Sequence, residues 1–407
     1  MEKETRMAIT AAPAVKRLGL VIAITGLVAS ACSGGAATAS PPPAATAVAS
    51  TAPTTAASAS SSASAVPSQS TDPTAVAAAL VQEATGVPAF QGPSEAIDVS
   101  SLKGKTVWIL VNSMQNTFNA AIGQAAAAAL AKAGIKTKLL DGMGLPSEWS
   151  RQTSEAVAQN AGAIIDSGEA TELLAGPLKD VAAAKIPFVE AINDVNAAPE
   201  TGVGARVVVD FGHSGEIQAA YAIAQSQGQG SVLILGDDEF PTEARRVQAQ
   251  VQYFKDNCPG CKVTVKNEQL ATLATSVPAD TQSILRANPD IKWILPAYDY
   301  LGGFVVQGLT QGAITGVSVV GADAVSQQLD QIRAGGAYVA DAGETPVWCG
   351  WAAADEIMRL MLGKSVSNEE IPVRLFTKAN LTSASNDPAS LFATDFETPL
   401  LKLWGLQ

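Results

Sequence analysis

Histidine is nearly absent from this 407-residue chain, which has only one, His213. Imidazole-rich metal sites are thereby excluded. Any catalytic triad would depend on that residue, and its neighbour Ser214 cannot pair with it as nucleophile and base by spacing alone. Charge is scarce too: 16% of residues are charged, with 26 basic against 38 acidic side chains and a formal net charge of −12. Average soluble chains carry roughly 25%. Nucleic acid is excluded as a partner, since it requires Lys and Arg clustered on one face. What is plentiful is apolar bulk, 47% of the residues. At about 100–200 residues per domain, the length allows two or three domains with sizeable cores.

The N-terminus accounts for part of this composition. Lys16 and Arg17 precede an uncharged, mostly apolar run from Leu18 to Ala31, closed by the small residues Ala29-Ser30-Ala31 before Cys32. A basic region, an apolar region of this length and small residues at a break predict a secretory signal peptide over 1–31, with Met7 as an equally good start. Ser30-Ala31-Cys32 resembles a bacterial lipobox, which implies that Cys32 is the lipidated first residue of the mature protein, anchored to a membrane without spanning it. Ala29 departs from that motif, and the other reading is a plain signal peptide with Cys32 incidental. From Ser33 to about Ala75 the chain is nearly all Ala, Ser, Thr, Pro and Gly, with too little bulk to bury, and reads as a tether over 32–75. A lead-in over 76–102 contains a short helix near Ala75–Glu83. The uncharged stretch Leu301–Ala322 is too rich in Gly, Gln and Thr for a spanning helix and reads as a helix followed by a strand.

Export places the cysteines where disulfides persist. Cys258-Pro259-Gly260-Cys261 has the spacing of a redox pair or half a zinc site, or of a small disulfide closing a turn. Zinc lacks its remaining ligands here, and the expectation is a Cys258–Cys261 disulfide. Cys349 is then a free thiol on a helix.

From Lys105 onward, apolar strand-like runs alternate with helical patterns. Strands are expected at Thr106–Val111, Lys136–Leu140, Ala163–Asp166, Phe188–Ile192, Val207–Asp210, Val232–Gly236, Val263–Lys266, Trp293–Tyr298, Val317–Gly321 and Tyr338–Ala342. Continuous apolar strands separated by helices indicate α/β architecture with parallel sheets covered on both faces. A (β/α)8 barrel would fit the number of strands. Two doubly wound parallel-sheet lobes fit better, because the pattern repeats about halfway.

Ligands of such sheets bind beyond the carboxyl ends of the strands. Those positions hold Asn112 through Asn119, then Asn193-Asp194, Asp237 through Pro241 with Arg245 nearby, Tyr298-Asp299-Tyr300, Asp323 and Glu344. Amides, carboxylates, an arginine and aromatics suit a polyhydroxylated small molecule, whose hydroxyls need donors and acceptors and whose ring face stacks. Asp237-Asp238-Glu239 offers oxygen ligands for Ca²⁺ but lacks an EF-hand pattern, and neither a metal nor a cofactor is expected.

Gly104-Lys105-Thr106-Val107 with the Asn116-Thr117-Phe118 turn, Lys185-Ile186-Pro187-Phe188, Val319-Val320-Gly321-Ala322-Asp323, and Asp210 before Gly215 together resemble the type I periplasmic binding proteins, in particular the ribose-binding-like receptors of ABC transporters. The resemblance covers about 103–378. It implies two lobes joined by a hinge that the chain crosses three times: an N-terminal lobe of 103–209 plus 345–373, and a C-terminal lobe of 210–344 plus 374–407. It also implies a monomer with no chemical step, which closes on a small sugar-like ligand and docks on an ABC permease. A surface sensor of a non-sugar molecule would look the same in sequence, and an exported α/β enzyme is the remaining alternative. The positions matching the family's pocket are Asn112, Asn116, Phe118, Asn119 and Asn193 from one lobe, with Arg245, Tyr298 or Asp299, and Asp323 from the other, and Glu344 at a hinge crossing. Sugar binders of the family usually carry an Asp-Arg pair after the strand matching Phe188–Ile192. Here the pair is Ile192-Asn193, so either Asp194 substitutes through a shifted turn or the ligand is not a common pentose or hexose.

Overall fold

The computed structural model describes residues 72–392 and 395–407. The signal peptide, Cys32 and all but the end of the tether lie outside them. Pro73–Ala84 forms helix α1, capped by the Asp72 carboxylate. The first sheet is built from β1 (Thr106–Val111), β2 (Lys136–Asp141), β3 (Ile164–Ser167), β4 (Phe188–Asp194) and β5 (Ala205–Val209), in the order β2-β1-β3-β4-β5 and parallel throughout. Its crossovers are α2 (Thr117–Lys132), α3 (Pro146–Ala158) and α4 (Ala175–Ala184). After α5 (Phe211–Gln225) come β6 (Ser231–Gly236), α6 (Pro241–Asn257), β7 (Lys262–Asn267), α7 (Leu273–Ala287), β8 (Ile291–Pro296), α8 (Asp299–Gln311), β9 (Ser318–Gly321), α9 (Ser326–Ala334) and β10 (Tyr338–Gly343).

The second sheet runs β7-β6-β8-β9-β10-β11, so its first five strands repeat the winding of the first sheet. Helix α10 (Pro346–Met361) returns to pack on α2 and the first sheet, and β11 (Arg374–Thr377) closes the second sheet antiparallel to β10. The central strands β3, β4 and β6 are buried at every position, as strands covered on both faces are; β6 is apolar from Val232 to Leu235, whereas β3 and β4 also bury Asp166, Glu190, Asn193 and Asp194. Leu301–Ala322 is indeed a helix and then a strand. Among the described residues no helix is long and apolar enough to cross a membrane. Cys258 and Cys261 are joined in a disulfide between α6 and β7, and the Cys349 thiol is buried in α10.

Three connections run between the two sheets' lobes: β5 to α5, β10 to α10, and α10 to β11. The flanks add two more. Helix α1 packs on α5 of the second lobe through Ala77 and its neighbours, while Ile97, further along the lead-in, donates to the Leu403 carbonyl at 2.7 Å beside the first lobe. At the other end, α11 (Pro388–Phe392) lies near β11, where Phe392 meets Phe376. The chain then crosses back to α12 (Glu397–Leu403). Placing all of 374–407 in the C-terminal lobe is therefore corrected. Phe396 stacks on Trp348, and Trp404 stacks on Trp351 and donates to Asp355, all on α10. These large rings are buried against that helix, and their burial draws the tail to the first lobe.

Candidate ligand-binding site

Both sheets point their carboxyl ends at one cleft, which holds about 650 Å³ of empty space with its solvent mouth included. Asn112, at the end of β1, is held by its Nδ2, which donates to the Gly168 carbonyl at 2.7 Å, and by its own carbonyl, which accepts from Trp149 Nε1 at 3.0 Å. Asn116 caps α2: its Oδ1 accepts from the backbone of Phe118 and Asn119, leaving the amide nitrogen for other partners. Phe118, Asn119, Ile192 and Asn193 complete this wall together with Gly168, Glu169 and Glu172. Gly168 has φ +79°, and a Cβ there would sit 2.4 Å from Asn119 Oδ1, so glycine is what lets the Asn119 amide lie against the strand end. Asp194 turns to its own loop, accepting from Asn196 N at 2.8 Å, and does not line the cleft in place of Ile192.

The opposite wall is Phe211, Phe240 through Glu243, Leu270, Tyr298 and Asp323. Tyr298 is fixed by its hydroxyl, which donates to Asp237 at 2.7 Å. Asp323 stands in a backbone conformation that non-glycine residues rarely adopt, φ 104°, followed by Ala324 at φ 53°. Three carboxylates hold this turn. Asp299 accepts from Val325 N, Asp341 accepts from Ala324 N, and Asp323 itself accepts from Asp299 N, each at 3.0 Å. Gly343 allows the turn to close, because a Cβ there would lie 2.2 Å from Ala324 N and 2.5 Å from the Asp323 carbonyl carbon. Both are backbone atoms and cannot swing aside. Gly343→Ala is expected to cost at least about 2 kcal/mol in urea unfolding; a loss below roughly 0.5 kcal/mol would show that the turn yields.

Seven of the ten residues expected in the pocket line this cleft: Asn112, Asn116, Phe118, Asn119, Asn193, Tyr298 and Asp323. Three do not. Arg245 is exposed on α6, one residue out of phase with the buried stripe of Arg246, Ala249, Gln250 and Phe254. Asp299 is spent on the Asp323 turn, its other oxygen accepting from the Tyr338 hydroxyl at 3.0 Å. Glu344 lies wholly buried behind the wall, 3.9 Å from Arg246 Nη2. Residues that sequence reasoning missed include Glu169, Glu172, Phe211 and Glu243. The first two directly follow β3, so the strand-end rule would have found them had it been applied to that strand.

Arg246 is the electrostatic centre of the second wall. Fully buried, it donates to Glu243 at 2.9 Å, to Asp323 at 3.3 Å and to the Ala297 carbonyl, with its guanidinium over the Phe211 ring at 4.6 Å. One cation faces three carboxyl groups. Burial therefore pushes Glu243 and Glu344 up to about 7, against the pull of Arg246, and holds Asp323 well above the usual carboxylate range. In the first wall, burial alone lifts Glu169 to about 8. Asp237 to Glu239 are engaged with protein donors, Glu239 N and Tyr298 on Asp237, Asn267 on Asp238 and Leu270 N on Glu239. Among the described residues no group of side chains is arranged to hold a metal ion. His213 sits in the first turn of α5 beside Glu216, at 3.6 Å.

Known proteins share this design. The D-apiose import binding protein of Actinobacillus succinogenes is 28% identical over 197 residues, 48% of this chain and 62% of that protein, so the match spans somewhat under two thirds of that relative. A solute-binding protein of an ABC transporter from Agrobacterium vitis, solved with bound allitol, superposes with a TM-score of 0.62 at 22% identity, covering 68% of this chain and 96% of the other. Another from Actinobacillus succinogenes, solved with D-allose, gives 0.60 at 17% identity, covering 68% and 98%. These structures establish the fold. Residues 107–365, well over half of the chain, match the family model of the periplasmic binding protein domain, and the protein belongs to that family.

Proposed function

We propose that this protein is an extracytoplasmic solute-binding protein that closes on a sugar-like polyol and presents it to the permease of an ABC importer, without a chemical step. The observation that carries this reading is the makeup of the cleft. Asn112, Asn116, Asn119 and Asn193 offer amide donors and acceptors, Glu243 and Asp323 offer acceptors, and Phe118, Phe211 and Phe240 offer ring faces. Hydroxyls and the apolar face of a sugar need that combination. The apiose-importing relative and the allitol- and allose-bound structures support the same ligand class. Contacts drawn from both lobes exist together only in the closed form, so binding would shift the population toward it.

Residues 1–31 are read as the export signal, Cys32 as the lipid anchor and the stretch after it as the tether of a monomeric receptor. Radiolabelled palmitate incorporated by the wild type and not by Cys32→Ser would establish the anchor. Titration calorimetry with D-apiose, D-allose, allitol and related pentoses, hexoses and polyols is expected to give saturable one-site binding with the compound recovered unchanged. Absence of saturation by every compound, or conversion of any of them, would refute the receptor reading.

A further inference from the structure

The cleft has acid on both walls and no base. Glu169 and Glu172 line one side, Glu243 and Asp323 the other, and no Lys, Arg or His is among the described residues that line it. Arg246 stands behind the second wall and is already turned to Glu243, Asp323 and Glu344. Behind the first wall Arg206 acts on Glu190 and donates to the Ala197 carbonyl, and it has no ion pair with Glu169 or Glu172 among the described residues.

Glu169 is the sharpest case. Its side chain is 95% withdrawn from solvent, being 5% exposed, and neither carboxylate oxygen has a hydrogen-bond partner among the described residues. The backbone holds it there: Glu169 N donates to Asp166 Oδ1 at 3.0 Å, and Gly168 turns the chain into the cleft. Behind it Asp166 is fully buried, with Oδ2 unpartnered, and its strongest charged neighbours are the carboxyl groups of Glu169, Glu190 and Glu172. An unpaired buried charge is costly, and so is an unmade buried hydrogen bond. A neutral hydroxyl would satisfy the second deficit only. A protonated amine satisfies both, since it donates hydrogen bonds and cancels charge.

We infer that the ligand is a polyhydroxylated molecule carrying a protonated amine, an amino sugar or aminocyclitol, and that Glu169 is the residue that reads its charge. The inference rests on the receptor reading above and narrows it. Glu169 is lifted to about 8 and Glu243 to about 7 by burial, so protons occupy much of this place at neutral pH until a cation displaces them. Asn112, Asn119 and Asn193 remain for the hydroxyls, and the rings for the apolar face.

The test is calorimetry on the full protein at pH 7, where the amino sugars are mostly protonated, with matched pairs: glucosamine and glucose, galactosamine and galactose, mannosamine and mannose. Each amine is also compared with its N-acetyl derivative, which keeps a substituent and loses the charge. In at least one pair the amine is expected to bind tenfold or more tightly than both its neutral twin and its acetylated form. Glu169→Gln is expected to remove that advantage, bringing each amine to within about threefold of its own neutral twin on the same variant. Neutral sugars binding as well as their amines in every pair would overturn the inference and leave the receptor reading intact. Binding by none of these compounds, while a neutral sugar or polyol of the wider set binds, would overturn the inference alone; binding by none of either set would take both down. The wild-type comparison with the acetylated sugars decides the matter even where the Gln variant does not fold.

Discussion

Trp348→Ala is expected to lower the unfolding free energy by about 3–5 kcal/mol, the usual cost of emptying a large aromatic site in a core. Trp348 is buried on α10, where three separate stretches of chain meet. Its ring stacks on Phe90 at 5.5 Å and on Phe396 at 5.1 Å, and meets Phe392 edge-on at 6.2 Å. Phe90 belongs to the lead-in, Phe396 to the returning tail, and Phe392 to the segment beside β11. Deleting the indole therefore loosens both flanking straps along with the helix. The indole nitrogen has no hydrogen-bond partner among the described residues, so Trp348→Phe forfeits volume alone and is expected to cost under about 2 kcal/mol. Urea unfolding of both variants measures the difference. An Ala variant within about 1 kcal/mol of the wild type would mean that the straps close over the hole, and that the aromatic cluster does not hold them to α10.

Much of the fold was legible because parallel strands buried on both faces cannot hide in a sequence. Thr106–Val111 coincides with its expected span, and the other nine expected strands overlap observed ones with ends shifted by two residues or fewer. Strand β11 was not legible: Arg374–Thr377 is four residues long, sits on the sheet edge and has no crossover helix after it. Helix α7 was less legible, because Pro278 lies inside it and proline ordinarily breaks a helix. It runs through Pro278, which is buried where α8 presents Gly308, the Pro278 Cα lying 2.9 Å from where a Cβ on that glycine would be. Which lobe the flanks join has no periodic signal at all, being set by where Trp404 and Phe396 find rings to stack on.

The site divides in the same way. Residues directly after a strand, such as Asn112 and Asp323, could be read from the strand itself. Arg245 and Arg246 differ only in helical phase, and the Arg246-Ala249-Gln250-Phe254 stripe carries that phase. Asp299 and Glu344 needed three dimensions, because a carboxylate at a strand end serves the ligand or the loop beside it according to which backbone amides lie in reach.

Arg246→Met is expected to destabilise the protein by about 3–5 kcal/mol at pH 8, since removing one partner of a buried ionic group strands the others. The cost should shrink as pH falls. Glu243 and Glu344 titrate near 7 in the folded protein, above the ordinary glutamate value in the unfolded chain. For groups raised in this way, the stability they contribute is fully present below the unfolded value and is lost as pH rises through the folded one. At pH 5.5 both carboxyls are already mostly protonated, and the variant loses chiefly the hydrogen bonds to Glu243, Asp323 and Ala297 and the contact with Phe211. At pH 8 the wild type balances ionised groups with its guanidinium, whereas the variant must draw protons from solvent at increasing cost. Urea unfolding of both proteins at the two pH values gives the comparison. A penalty that stays constant, or grows toward acid, would show that Arg246 acts by packing and hydrogen bonding rather than as the counter-charge of the second wall.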